Sequence, residues 1–279
     1  MLAGQRQQLI VEQVRRVGSV RVSELTELLG VSDMTIRRDL DVLAAAGLVD
    51  KVHGGATATG RLSADEPGFE AKSHRQLEEK EAIARVAAEL VEPGQAIGLT
   101  AGTTTWRLAH YIRGVPDLTV VTNSIQAANV LHAERRPDLT VILTGGVRTP
   151  SDALVGPVAV STLRSLHVDI LFMGVHGMTI DAGFTTPNLL EGATDQAHLA
   201  SAGRVVVVAD HTKWGVRGLS QIARLEDAHV LVTDSRIGTE AHALLADHIR
   251  EVVVAPTRRR RPRAVTPLVA DGTEAEAAR

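Results

Sequence analysis

Four short stretches of this 279-residue chain combine hydroxyls, glycines and charges in ways that suit binding of a phosphorylated polyol. In Thr100-Ala101-Gly102-Thr103-Thr104-Thr105 a glycine precedes a run of hydroxyls, where an apolar run gives way to a predicted helix. Glycine lets an anion approach the backbone, a helix N-terminus offers unpaired N–H groups, and threonines add donors. No G-K-[ST] follows, so this is not a Walker A loop. Thr122-Asn123-Ser124, Thr144-Gly145-Gly146-Val147-Arg148 and Asp210-His211-Thr212-Lys213 each follow another apolar run. They add an amide, two more glycines, a guanidinium, a carboxylate and an ammonium. Each piece has a plain alternative: Gly102 as a turn, Asn123 as a cap, Lys213 as a solvated loop residue. Their recurrence after successive apolar runs favours a site.

A different chemistry is written in residues 31–40, V-S-D-M-T-I-R-R-D-L. Ser32 is placed to cap a helix. Ile36, Leu40 and Leu43 share one apolar face by their i, i+4, i+7 spacing. Thr35, Arg37 and Arg38 fall on the other faces, with Asp33 and Met34 ahead of them. A short helix with an apolar back and a Thr/Arg front fits a DNA major groove. The bland alternative is a solvated arginine face behind a structural cap. Each arginine could bind a phosphate or a guanine edge, and both remain open.

The elements that must position these residues follow from periodicity. Ile10, Val14 and Val17 predict a helix over residues 5–17, Ser19 to Val22 is β-prone, and Leu25, Leu28 and Leu29 predict a helix over residues 23–29. Gly30 ends that helix and Gly47 the next. Residues 48–55, including Lys51 and His53, read as a hairpin. The layout is a winged helix-turn-helix, its wing reaching the sugar-phosphate backbone. Residues 1–58 contain seven Arg/Lys and seven Asp/Glu, so affinity for DNA must come from placed residues rather than from a basic surface.

Further along, a helix is predicted over residues 70–91. Apolar runs then recur at residues 96–99, 118–121, 139–143, 170–173, 205–209, 230–232 and 252–255. Several are continuously apolar, as in strands buried on both faces, and most gaps are long enough for crossover helices. The fold class is therefore an α/β domain with a mainly parallel sheet, preceded by a small winged helix-turn-helix domain. In such sheets ligands bind beyond the carboxyl ends of the strands, where the four stretches fall. The boundaries expected are 1–58 for the DNA-binding domain, 59–69 for a linker, 70–255 for the α/β domain and 256–279 for a disordered tail carrying Arg258 to Arg261.

The first sixty residues resemble the DeoR-type bacterial transcriptional regulators, through V-S-E-L (22–25), the decapeptide, G-L-V (47–49) and H-G-G-A (53–56). Residues 78–235 resemble that family's sensor domain, through E-K-E-A-I-A, A-G-T-T-T, V-V-T-N-S, L-T-G-G and V-V-V-A-D-H-T-K-W-G. The resemblance implies a domain related to ribose-5-phosphate isomerases that binds a sugar phosphate or similar metabolite. Gly102 to Thr104 would hold the phosphate, with Asn123, Gly145, Asp210 and Lys213 around it. Family members often carry Asp where this chain has Thr100.

The expected DNA contacts are thus Ser32, Met34, Thr35, Arg37, Arg38, Lys51 and His53. The expected effector contacts are Gly102, Thr103, Thr104, Asn123, Gly145, Gly146, Arg148, Asp210 and Lys213. The main rival is a sugar-phosphate isomerase fused to a DNA-binding module. Such an enzyme needs a carboxylate base and enediolate-stabilising groups. The related isomerases carry an acidic cluster where this chain has residues 173–177 and a Glu-Lys pair where it has Thr194-Asp195, so the base is missing. Glu191, Asp195, His176 and His211 are the remaining acid–base groups. A third reading, an architectural DNA binder, leaves the Gly/Thr and Asp/Lys stretches unexplained.

Composition narrows the classes further. The chain has no cysteine, so disulfides and thiolate metal sites are excluded. Aromatic residues are 2%, which disfavours a stacking platform for single-stranded nucleic acid. With 44% hydrophobic residues and a net charge of −3, the chain can bury real cores. There is no signal-peptide pattern and no long uncharged apolar run. The expectation is a cytoplasmic, non-enzymatic homo-oligomeric regulator without cofactor or metal, with no membrane partner. Its partners would be double-stranded operator DNA and a phosphorylated sugar.

Overall fold

The computed structural model describes residues 2–17, 19–46, 48–52, 54–58, 68–133 and 135–257. The expectations for Gly47, for His53, for most of the linker and for the arginine run of the tail lie outside them. The N-terminal unit comprises α1 (Ala3–Val17), β1 (Ser19–Arg21), α2 (Val22–Leu29), α3 (Asp33–Ala45), β2 (Val49–Val52) and β3 (Gly55–Ala58). Ile10 and Val14 from α1, Leu25 from α2, and Ile36, Leu40 and Leu43 from α3 close one core with Val20, Val49 and Ala56. Burying each large aliphatic side chain stabilises the unit by about 1.5–3 kcal/mol. Leu28 departs from the expected stripe and is exposed, while Leu29 packs against the core. Gly30 ends α2 in the left-handed region (φ 62°).

The wing is more than a hairpin. β3 pairs antiparallel with both β2 and β1, in the order β1-β3-β2. β3 approaches β1 so closely that a Cβ on Gly55 would stand 2.0 Å from the Val20 carbonyl oxygen. The second glycine of H-G-G-A is therefore required by close backbone approach.

The segment that periodicity predicts as one helix over 70–91 is two: α4 (Phe69–Ser73) and α5 (Leu77–Ala88). Gln76 breaks it by adopting φ 51°. The Nζ of Lys80 donates to the carbonyls of Lys72 and Arg75 at 2.8 and 2.7 Å. These are carbonyls that an unbroken helix would bond through its own amides. A buried lysine thus takes over part of the ladder, which periodicity cannot show.

The chain continues through β4 (Ala96–Leu99), α6 (Thr103–Ile112), β5 (Leu118–Thr122), α7 (Ile125–His132) and β6 (Leu139–Leu143). It then forms a two-strand ribbon, β7 (Val147–Arg148) and β8 (Leu154–Val155), followed by α8 (Pro157–Arg164) and β9 (Val168–Gly174). β10 (Gly177–Thr179), β11 (Gly183–Thr186), α9 (Leu189–Ala200), β12 (Ala202–Val208) and β13 (Ser220–Ala223) come next. β14 (Val230–Asp234), α10 (Thr239–Ala246) and β15 (Glu251–Ala255) complete the described elements.

All seven expected strands enter one parallel sheet, ordered β15-β14-β12-β9-β4-β5-β6. Alternate residues serve opposite faces. Ile170, Phe172, Val206, Val208, Val230 and Val232 pack with α5 and α6. Leu171, Met173, Val205, Val207 and Leu231 pack on the other side with residues of the small β10-β11-β13 sheet and α10. Two apolar faces explain the continuously apolar runs. The two edge strands are the exceptions: β6 and β15 are only half-buried, and Leu143 and Val254 are exposed.

Candidate functional site

The exposed front of α3 presents Met34, Arg37 and Arg38, and Met34 is 78% exposed. The helix starts there because the Oγ of Ser32 accepts the Thr35 N–H at 3.4 Å, while the two hydroxyls lie 2.9 Å apart. Thr35 is therefore partly engaged in the cap. Arg37 lies 3.5 Å from Asp33 one turn earlier, an exposed pair whose charges a phosphate could displace. Lys51 on β2 pairs with Asp41 of α3, which fixes the wing beside the helix. One residue of the decapeptide does not face outward. Asp39 is buried and takes Arg6 of α1 in a two-pronged pair (2.5 and 3.2 Å), with Gln7 donating at 3.0 Å. It sets α3 against α1, a role that sequence spacing does not reveal.

The sheet order places β4 beside β9, and the chain runs outward from that pair in both directions. A switch point of this kind leaves a crevice beyond the strand ends. Thr100, at the end of β4, fastens the two sides: its N–H donates to the Phe172 carbonyl and its Oγ1 accepts the Gly174 N–H at 3.0 Å. The side chain at this position is therefore committed to β9.

Beyond it lies a cavity of about 70 Å³. Its floor is Ala101, Gly102, Thr103 and Thr104, at the N-terminus of α6. Gly174, Val175 and His176 come from the end of β9, and Lys213 from the 3₁₀ turn after β12. α4 contributes Phe69 and Lys72, α5 contributes Lys80, and Ser151 comes from the loop between β7 and β8. Thr186, Glu191 and Asp195 complete the opposite wall. Three lysines thus share the cavity with the free N–H groups of a helix start, an arrangement suited to a phosphate.

Burial pushes the Lys80 ammonium down to about 8; Lys213, Arg107 and Lys72 add to the shift and Asp210 opposes it. Burial, with Glu191 nearby, pushes the Asp195 carboxyl well above the usual range. Glu191 is held by the hydroxyls of Thr149 (2.9 Å) and Thr186 (3.3 Å). The two carboxyl groups therefore lie a helical turn apart on α9, Glu191 fixed by hydroxyls and Asp195 with its proton affinity raised by burial.

Of the expected effector residues, Gly102, Thr103, Thr104 and Lys213 line this cavity; Asn123, Gly145, Gly146, Arg148 and Asp210 do not. Asn123 is a buried brace, accepting the Ala101 N–H at 2.8 Å and donating to the Leu154 carbonyl at 3.3 Å. Gly145 and Gly146 turn the chain at φ 72° and 117°, and a Cβ on Gly146 would lie 2.4 Å from the Val155 carbonyl oxygen. Arg148 pairs with Asp152 across the ribbon loop. Asp210 caps the 3₁₀ turn through the Thr212 N–H at 3.1 Å, which fixes Lys213.

His211 lies with Nδ1 3.0 Å from Oδ1 of Asp234. Burial alone would raise that carboxyl, but the His211 side chain and the backbone N–H groups of His211 and Arg236 hold it below the usual range. Sequence reasoning does not single out Lys72, Lys80 or Ser151 as site residues, and it places Glu191 only among leftover acid–base groups. Of these, Lys80 alone carries a signal, as the lysine of E-K-E-A-I-A.

A three-helix winged unit ahead of an α/β domain with such a cavity at its switch point defines a DNA-binding transcriptional regulator with a sensor domain. Residues 6–61 match the DeoR-like helix-turn-helix domain and residues 75–235 the DeoR C-terminal sensor domain. The chain belongs to the DeoR family. It is 34% identical to the HTH-type transcriptional regulator YulB of Bacillus subtilis, over 93% of this chain and 100% of that one. It is 38% identical to the HTH-type transcriptional regulator GlpR of Haloferax volcanii (86% and 93%). It is 31% identical to the glycerol-3-phosphate regulon repressor of Escherichia coli (88% and 96%). These relatives are transcriptional regulators. Among solved structures, ribose 5-phosphate isomerase A of Methanocaldococcus jannaschii aligns at 18% identity and a TM-score of 0.36, covering 48% of this chain and 53% of that one.

Proposed function

We propose that this regulator is a repressor of carbohydrate-metabolism genes whose operator binding responds to a phosphorylated sugar or a related metabolite. The observation that carries this reading is the cavity at the β4/β9 switch point, where the N-terminus of α6 faces Lys72, Lys80 and Lys213. That glycerol-3-phosphate is named in one relative's description agrees with it. In this reading the DNA-binding domain is 1–58, the linker 59–69, the sensor 70–255 and the tail 256–279. Ser32, Met34, Thr35, Arg37, Arg38, Lys51 and His53 serve double-stranded operator DNA. Gly102, Thr103, Thr104 and Lys213 serve the effector directly. Asn123, Gly145, Gly146, Arg148 and Asp210 serve it by shaping the loops around it. The protein acts in the cytoplasm as a homo-oligomer, since paired recognition helices read paired half-sites. No helix among the described residues is long and apolar enough to cross a membrane.

A thermal-shift series with glycerol 3-phosphate, ribose 5-phosphate and fructose 6-phosphate, each beside its unphosphorylated counterpart, tests the reading. A ligand that binds only the folded chain raises its melting temperature, so at least one phosphorylated compound raises it and its counterpart does not. Lys213→Ala removes the shift. A Lys213→Ala protein that responds as the parent does would show that the cavity is misassigned.

A second reading, sugar-phosphate isomerisation, is favoured by one observation: Glu191 and Asp195 face the same cavity as the lysines. Carboxyl groups that hydrogen-bond sugar hydroxyls account for them without catalysis, and Glu191 is already engaged by Thr149 and Thr186, so binding remains the preferred role. Conversion of ribose 5-phosphate to its ketose by the purified protein would reverse that preference.

A further inference from the structure

We infer that Lys72 and Lys80 hold the anionic group of the effector, and that α4, which carries Lys72, transmits occupancy of the cavity toward the DNA-binding unit. The inference rests on the reading of the cavity as an effector site and assigns it two cationic ligands and an output element.

Lys80 connects the two. Its buried Nζ spends two N–H groups on the carbonyls of Lys72 and Arg75, and an ammonium has three. The third is available to the cavity that Lys80 lines. One ammonium thus touches both the ligand space and the backbone at the end of α4. Lys72 reaches the cavity from α4 itself, with Nζ 2.7 Å from the Oγ of Ser151 on the facing loop. An anion between these lysines and the N-terminus of α6 fastens α4 to the sheet end from the inside.

α4 is suited to respond. It is five residues long. Among its other ties are a bond from the Phe69 N–H to the Pro150 carbonyl (3.0 Å), the Phe69 ring edge-on to Trp106 (5.4 Å) and a long contact from Arg107 to the Ser73 carbonyl (3.4 Å). A groove lined by Gly68, Glu70, Gln126, Pro150 and Asp152 runs along it. Gln76, at φ 51°, separates it from α5. In sequence, only residues 59–67 stand between Ala58 of the wing and Gly68. So short a tether spans at most roughly 3.5 Å per residue, so how firmly α4 is held limits where the wing can go.

Hydrogen–deuterium exchange on the full chain tests this, with inorganic phosphate as the probe and chloride at equal ionic strength as the control. Phosphate is expected to slow exchange both at residues 100–106 and at residues 69–76, and to shield the half-buried Lys72 from acetylation. In Lys72→Ala the slowing at 69–76 disappears and phosphate affinity falls about tenfold. The acetylation footprint needs no variant, so it reports even if a substitution unfolds the chain. Slowing at 100–106 alone, or a Lys72→Ala protein that responds like the parent, overturns the inference while leaving the cavity an anion site. A parent in which neither phosphate nor the sugar phosphates change exchange or melting temperature overturns the effector reading, and this inference with it.

Discussion

Lys80 has an ammonium that burial holds near 8, far below its ordinary 10.5. The charged groups around it are Asp210, which favours the proton, and Lys213, Arg107 and Lys72, which oppose it. Above about pH 8 the folded chain loses that charge, so affinity for a phosphorylated effector falls as pH rises through this value. Titration calorimetry at about pH 7 and about pH 9, on either side of that value, measures the fall, and Lys80→Met removes its steepest part. Stability has the opposite sign. Between about 8 and 10.5 the unfolded chain binds more protons at this position than the folded one, so its contribution to stability rises with pH across that window. At the other end of the molecule, Arg37→Ala and Arg38→Ala separate two kinds of contact. A base-reading arginine costs about 1–3 kcal/mol of operator binding and relaxes specificity at one position. A phosphate-binding one weakens all sequences alike and lowers the salt slope by about one. Neither substitution alters the response to sugar phosphates. The arginines are legible in the sequence because a helix period leaves them opposite Ile36 and Leu40. Lys72 and Asp39 are not, because their partners lie 79 and 33 residues away along the chain.

α3 and the wing are held by local devices that can be removed singly. Ser32→Ala takes away the cap of α3 and costs about 1 kcal/mol, seen as a lower urea midpoint for the N-terminal unit. Gly55→Ala forces β3 from β1, where only 2.0 Å is available for the new carbon. It is expected to abolish operator binding while leaving the sugar-phosphate thermal shift intact; unchanged operator affinity would mean that the wing does not touch DNA. Elements with a strong period are readable from the amino-acid order alone: the three N-terminal helices and all seven strands of the parallel sheet. Short elements set by tertiary contacts are not. The two-residue β7 and β8 have no period to show. β10 and β11 are only three and four residues long, and β13 joins them from more than thirty residues further along the chain. The α4–α5 break lies in a sequence with good helical spacing on both sides, and the Lys80 ammonium satisfies two of the carbonyls it frees.

For the whole molecule, the prediction is self-association. One winged unit offers one recognition helix, and a helix-turn-helix protein reads a two-fold operator with two. Light scattering is expected to give a mass at least twice that of the chain, and a monomer at all concentrations would remove this part of the mechanism. Ligand and DNA must also influence one another equally: an effector that weakens operator binding tenfold is itself bound ten times less tightly by the operator complex. Measuring both affinities checks whether the two ends are coupled at all. The division of labour between those ends is legible in the sequence, because the DNA-facing helix and the strand-end loops have different chemistry. The cavity's composition is only half legible, because α4 and α9 bring side chains to it from outside those loops.

The neighbouring strands β4 and β9 are far apart in the chain, with β5, β6, β7 and β8 encoded between them. The cavity is consequently written in separate stretches of the gene: Phe69, Lys72, Lys80 and residues 101–104 before position 146, Ser151 and residues from 174 onward after it. A recombination junction placed in the exposed segment around Gly146 would exchange one part of the lining between relatives while leaving each strand of the sheet intact. Ligand preference in this architecture can therefore be varied by shuffling halves, as well as by point substitution, without rebuilding the DNA-reading end.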